Sequence, residues 1–328
     1  MDRPQFDIDP YANDPGHWGA SLVTMAELIV PCLDAAKAKS VVEVGAYAGD
    51  VTRLLLHWAE SGGARVSAID PAPEENLVKL ADERSDLELI RATSLEALKD
   101  MPLADAVVID GDHNYYTVSE ELRLIAERAD AAGKPLPLLL FHDVGWPHAR
   151  RDDYFDTSQI PDEYLQPIHE GGGLFPGEPG IVPGGLPYRN AAAREGGPRN
   201  GVLTAIEDFV NAREGLRLAV VPAFFGLGVA WHRDAPYAGA LAEILDPWDR
   251  NPLLERLEFN RVYHLASVHM QMVRATQLEH QNNRQREVLE KLLKSGVFSL
   301  AERISKLRHR DRPDAALSKD EVRRALSG

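Results

Sequence analysis

A chain of 328 residues exceeds one ordinary domain, which makes a core domain with an appendage the first expectation. Its 36 basic and 51 acidic residues give a net charge of -15, and nucleic-acid binding rests on a basic face, so a polyanionic partner is disfavoured and a small neutral or cationic molecule is easier to admit. Cys32 is the single cysteine, which excludes a disulfide framework and a thiolate metal cluster; its expected place is a helix core. With 44% hydrophobic and 27% charged residues the composition is that of a globular domain. No apolar run approaches about 20 residues, and Met1-Asp2-Arg3-Pro4 is not a basic stretch leading into an apolar one; no membrane segment and a cytoplasmic location are expected.

In chain order, residues 1–38 hold a leading helix from about His17 to Lys37, with Leu22, Met25, Leu28, Ile29 and Leu33 at helical spacing; Trp18 reads as a helix-end packing residue or a pocket wall. Ser40 to Val44 is an unbroken β-branched run, the pattern of a strand buried on both faces of a parallel sheet. Gly45-x-x-x-Gly49 makes a tight turn, and Asp50 is expected to cap a helix carrying Val51, Leu54, Leu55 and Trp58. Tyr47 stands where a dinucleotide fingerprint has its second glycine, and that bulk obstructs a pyrophosphate. With Glu43 two residues before the first glycine, the stretch resembles motif I of class I S-adenosylmethionine-dependent methyltransferases. That cofactor has no phosphate, and its amino group suits an acidic partner.

A strand from Ala64 to Ile69 ends in Asp70, placed to accept the hydroxyls of a ribose. A helix near Pro73 to Arg84, a strand from Leu87 to Ala92 and a short helix from Leu95 follow; Thr93 and Ser94 fall where an adenine edge would lie. The strand Ala106 to Ile109 runs into Asp110-Gly111-Asp112-His113, and the strand Leu136 to Phe141 ends in His142-Asp143. Carboxylates and imidazoles converging on the C-terminal rim of a parallel sheet suit Mg²⁺ or Mn²⁺ better than zinc.

Val-Ile-Asp-Gly-Asp-His-x-Tyr, followed by a strand ending in His-Asp-Val, resembles the metal-dependent O-methyltransferases of the macrocin and mycinamicin type and their cephalosporin-hydroxylase-like relatives. The resemblance implies S-adenosylmethionine held at Glu43, Gly45, Tyr47, Gly49, Asp70, Ser94 and Asp110. It also implies a divalent metal on Asp110 and Asp143 and a base at His113. His142 stands where those enzymes often have an acid, so it is either a third ligand or an orienting neighbour.

Residues 145–199 carry glycine-proline clusters with Trp146, Tyr154, Phe155, Tyr164, Phe175 and Tyr188 spread among them, reading as an aromatic lid or as a loop that its aromatics pin down. Asn200 is expected to cap a helix through Val210, and Leu218 to Val221 with Leu227 to Trp231 to form an antiparallel pair. The expectation is thus an α/β chain: residues 39–235 form a seven-stranded class I methyltransferase sheet with a terminal hairpin, and 236–328 a C-terminal helical appendage. Its long helix from Pro252 has a partial seam through Leu265, Val268 and Met272, either a homo-oligomer arm or a solvated helix. The implied activity is O-methylation of a hydroxylated small molecule, preferably a glycoside or polysaccharide precursor. The alternatives are an inactive cofactor-binding scaffold of the same fold and an NAD-dependent oxidoreductase, the latter disfavoured by Tyr47 and the hairpin.

Overall fold

The computed structural model describes residues 19–310 and 318–327, so Trp18 and the start of the expected leading helix lie outside the described residues. A 3-10 turn at Leu22–Met25 leads into α1 (Ala26–Ala35), where Cys32 is buried. The following elements are β1 (Ser40–Val44), α2 (Asp50–Glu60), β2 (Arg65–Ile69), α3 (Glu75–Glu83), β3 (Leu87–Ile90), α4 (Ser94–Ala97), β4 (Ala106–Ile109), α5 (Tyr115–Ala132), β5 (Leu138–Phe141), α6 (Val202–Ala212), β6 (Leu216–Val221) and β7 (Leu227–His232). They form one seven-stranded sheet in the order β3-β2-β1-β4-β5-β7-β6. The first five strands run parallel, while β7 is antiparallel to both β5 and β6. This is the class I methyltransferase sheet with its terminal hairpin.

Strand alternation splits the core into two layers. Val41, Val66, Ala68, Val108 and Leu140 face α1 and α2, where Leu33, Leu54 and Leu55 close the layer. Val42, Val44, Val107, Ile109 and Phe141 face the opposite way, onto Val118, Leu122 and Ile125 of α5 and Ile206 of α6. Each such aliphatic side chain contributes about 1.5–3 kcal/mol by leaving water. The register pairs Val44 with Ile69 and Ile109, and Ile109 with Phe141. Gly45, Asp70, Asp110 and His142, each one residue beyond, therefore meet along a single rim.

Two helix starts differ from expectation. Gly49, not Asp50, is the N-cap of α2, in the left-handed region at φ 84°; Asp50 is already helical. Gly201, not Asn200, precedes α6. The Asn200 side chain instead accepts from the Asp152 N–H and donates to the carbonyls of Arg194 and Gly196. A competing set of buried backbone groups recruits the amide that local sequence assigns to a cap.

Residues 145–199 contain only a 3-10 turn at Thr157–Gln159 and isolated β-bridges, yet they are anchored throughout. Arg151, 1% exposed, donates to the carbonyls of Ala192 and Pro179. Asp152 is fully buried: one oxygen accepts from the Tyr115 and Gly201 N–H groups, and the other from the Tyr154 hydroxyl. At Gly173 and Gly185 two backbones approach so closely that a Cβ on Gly173 would lie 2.3 Å from the Gly185 carbonyl carbon. Tyr164 packs on Tyr115, Tyr116 and Arg199, and Phe175 packs on Tyr263. Most of these aromatics pin the segment down; Phe155, 73% exposed, does not.

The chain divides into two compact units, Met1–Ala266 and Ser267–Gly328. The first unit includes α7 (Ala238–Leu245), beyond the boundary read at residue 236, with Leu241 and Leu245 buried in the α1 layer. It also includes the start of α8 (Pro252–Lys294), where Val262 and Ala266 are buried and Glu258 accepts from the Phe225 N–H. The second unit contains the remainder of α8, then α9 (Gly296–Arg308) and α10 (Lys319–Ser327). Ser295 caps α9, and Lys319 joins α10 to Ser299 and Glu302. Among the described residues, no helix is long and apolar enough to cross a membrane.

Candidate active site

The turn after β1 is fixed by its neighbours. Gly45 donates to the Ile69 carbonyl at φ 86°, and a Cβ there would lie 2.0 Å from the Asp110 carbonyl oxygen, so only glycine fits between the two strand ends. Tyr47 also has positive φ, 39°, and is 62% exposed. Asp70 braces the turn: one oxygen accepts from the Tyr47 N–H at 2.7 Å and the other from the Ala72 N–H at 2.7 Å. Each oxygen keeps a further lone pair for a ligand hydroxyl.

Glu43 sits beneath this cradle. It is 2% exposed and accepts from the Thr52 hydroxyl at 2.6 Å, and burial pushes its pKa up to about 8. In this conformation it supports the turn from below and does not present its carboxylate to a ligand amino group. Ser94 is likewise inside, in the first turn of α4, which Thr93 and Glu96 close as a capping box. It lies against the buried Glu121, whose pKa burial raises to about 8 against the opposing effect of a Ser94 hydrogen bond.

Asp110 and His113 leave β4, and His142 and Asp143 leave β5. His142 Nδ1 lies 3.1 Å from Asp110 Oδ1 and 3.5 Å from Asp143 Oδ2, and its Nε2 lies 3.1 Å from the Phe224 carbonyl. A carbonyl only accepts, so Nε2 carries a proton and Nδ1 faces the two carboxylates. Burial of the ring opposes its charge, but Asp110, Asp143 and the Phe224 carbonyl outweigh burial and push the pKa up to about 10. The centre thus calls for a positive charge, supplied by a proton on Nδ1 or by a cation in its place. One ligand atom from each of Asp110, His142 and Asp143 lies within 4.8 Å of the others. Two carboxylates and one imidazole nitrogen fit a hard divalent cation, with His142 in the correct tautomer to bind it. Asp143 has a positive φ of 56°, a conformation a non-glycine residue keeps where its surroundings dictate it.

His113 joins this centre to open space. Its Nδ1 lies 3.1 Å from Asp143 Oδ2, so a proton there leaves Nε2 as the basic nitrogen. The ring stacks on His148 at 4.6 Å, and His148 meets the edge of Tyr188 at 5.2 Å. Burial lowers the His148 pKa to about 3, so it serves as a neutral plate behind His113. On its other side His113 borders a cavity of about 300 Å³, whose walls include Asp153, Phe155 and Arg189. His148, Asp153 and Arg189 were not singled out from sequence. The cluster His148-Ala149-Arg150-Arg151-Asp152-Asp153, dense in titratable groups inside a glycine-rich loop, is a signal that could have pointed to the first two.

Residues 42–144 match a family model described as a methyltransferase domain, a span that runs from within β1 through Val144, just past Asp143. Comparison with curated protein sequences gives no match. Among solved structures, the chain is similar to the SAH-bound methyltransferase PaMTH1 of Podospora anserina, with 14% identity, TM-score 0.43, and coverage of 67% of this chain and 82% of that one. It is also similar to a methyltransferase from Geobacter sulfurreducens, with 12% identity, TM-score 0.38, and coverage of 70% and 91% respectively. The strand order is that of the class I methyltransferase fold, and the matched span lies within its parallel half.

Proposed function

We propose that this protein transfers a methyl group from S-adenosylmethionine to a hydroxyl of a sugar-bearing small molecule, with a divalent cation held by Asp110, His142 and Asp143. The observation that carries the reading is the place of His113, braced by Asp143 on one side and bordering a cavity on the other. When bound, the cofactor supplies an electrophilic methyl group, and the cation supplies positive charge beside the acceptor oxygen.

The chain's own residues do the rest. An alcohol must lose its proton as it attacks, and His113 Nε2 takes it, with Asp143 fixing the ring and steadying the imidazolium that forms. His148 holds the imidazole from behind. Asp70 and the turn from Gly45 to Gly49 orient the cofactor on the rim that delivers His113. The cap over residues 145–199 walls the acceptor, so orientation is set before reaction.

Release of S-adenosylhomocysteine, measured with and without a chelator, tests the reading. His113→Ala should cost about 10²-fold or more in rate. Asp110→Ala or EDTA should abolish turnover while calorimetric binding of S-adenosylhomocysteine largely survives. Full activity in excess EDTA would refute the metal assignment, and NAD binding as tight as that of S-adenosylmethionine would refute the cofactor.

A further inference from the structure

Besides His113 and Tyr154, four charged or amide side chains line the cavity, Asp112, Asp153, Arg189 and Asn190, and two of them are already committed. Asp112 accepts from the Phe155 N–H with one oxygen and from the Thr117 hydroxyl with the other. The Asn190 side-chain amide donates to the Tyr154 carbonyl. Asp153 and Arg189 differ. Among the described residues, the Arg189 guanidinium has no hydrogen bond, ion pair or ring contact, and the Asp153 carboxylate has no hydrogen bond or ion pair. Both nevertheless border the same cavity of about 300 Å³.

An arginine and an aspartate that share one small cavity without pairing leave a donor fork and an acceptor pair open to a ligand. Asp153 is also tied to the chemistry: its N–H donates to the His113 carbonyl at 3.0 Å, and the two residues form a β-bridge. A hydroxyl accepted by Asp153 therefore lies beside His113. Arg189, in the same wall, meets whatever group projects across the cavity, and a planar guanidinium matches a carboxylate or phosphate in two parallel bonds. The chain's overall negative charge does not favour anions in general, which makes an uncommitted arginine in this cavity the selective element.

We propose that the acceptor is an acidic polyol, such as a uronic acid or a sugar phosphate, with its anionic group held by Arg189 and a hydroxyl held by Asp153 next to His113. This rests on the methyl-transfer reading for the identity of the cavity, but it is tested by binding and not by turnover. Full-length protein saturated with S-adenosylhomocysteine is titrated calorimetrically with D-glucuronate, D-glucose 6-phosphate and D-glucose. At least one acid should bind about 10-fold or more tightly than glucose, and which acid does so separates carboxylate from phosphate recognition. Arg189→Ala should erase the difference, Arg189→Lys should keep part of it, and Asp153→Asn should weaken every sugar that binds. Arg189 is exposed, so unchanged S-adenosylhomocysteine affinity in its variants verifies that the fold is intact. Equal binding of acids and glucose, no binding of either acid, or a preference that persists in Arg189→Ala would overturn the proposal. Acid binding that needs Arg189 without methyl transfer would uphold it and count against the proposed function instead.

Discussion

The cap at residues 145–199 and the C-terminal unit from Ser267 are both additions to the sheet, and they are held together by opposite means. The cap has almost no regular structure, but its polar groups are buried and bonded: Arg151, Asp152 and Asn200 together tie down the backbone of four separate stretches. The C-terminal unit is nearly all helix, yet Val288, Leu292, Val297, Leu300, Ile304 and Leu307 stay exposed. Regular hydrogen bonding therefore does not measure how firmly a segment is fixed. What fixes it is the number of groups that would be stranded, buried and unpaired, if it moved.

The largest effect should come from Asp152. Asp152→Ala strands two backbone N–H groups and the Tyr154 hydroxyl in the interior, a loss of about 3–5 kcal/mol. Urea denaturation should register it, and limited proteolysis should begin to cut within residues 145–199. Asp152→Asn should recover part of the loss, because its carbonyl oxygen can accept from the Tyr115 and Gly201 N–H groups, while the Tyr154 O–H that donates to Asp152 loses its acceptor. An alanine variant with unchanged stability would mean that the cap is held by something other than this network.

The sheet was legible because its information is local. Buried strands such as Ala106–Ile109 are continuous apolar runs, and β4 and β5 are each followed at once by a polar cluster. Asp110, His113, His142 and Asp143 could be read for the same reason, since strand ends in a parallel sheet share a rim. The positions of Glu43 and Ser94 could not be read, because a spacing rule places a residue near a ligand without saying which way its side chain turns. Nor could Asn200: it looks like a cap, and only the folded cap reveals Asp152 as its stronger partner. Asp153 and Arg189 lie 36 positions apart in a segment with no period, and they come together only through bridges such as that between Asp153 and Ala191.

Titration sharpens the contrast between the units. Burial raises Glu121 and Glu43 to about 8, so the folded sheet domain binds these protons more tightly than the unfolded chain does. Stability from these groups is complete below about pH 4.5, the unfolded value, and falls as pH rises toward 8. Glu302 in the second unit has the opposite sign: the Lys319 N–H and the Lys306 ammonium lower its pKa, so its contribution holds above the unfolded value and is lost as pH falls. Glu121→Gln carries the neutral form permanently. It should match the parent near pH 5 and exceed it at pH 8 by about 3 kcal/mol, read from urea midpoints. A gap that does not widen with pH would mean that Glu121 is already ionised in the folded protein.

The smallest effect is expected in the C-terminal helix, and there its size decides between two readings of the seam. Val268 and Met272 are 44% and 59% exposed in the single chain, and polar substitutions at such positions ordinarily change stability by less than about 0.5 kcal/mol. Most helical stability in proteins comes from packing an apolar face, so a second copy of the chain covering the seam would make the same residues core-like. We propose that covering. Val268→Ser combined with Met272→Ser should then lower the melting temperature and make it depend on protein concentration less steeply than in the parent, and should shift the sedimenting species toward monomer. A parent that sediments as a monomer, with a double variant of unchanged melting temperature, would leave α8 beyond Ala266 a solvated helix.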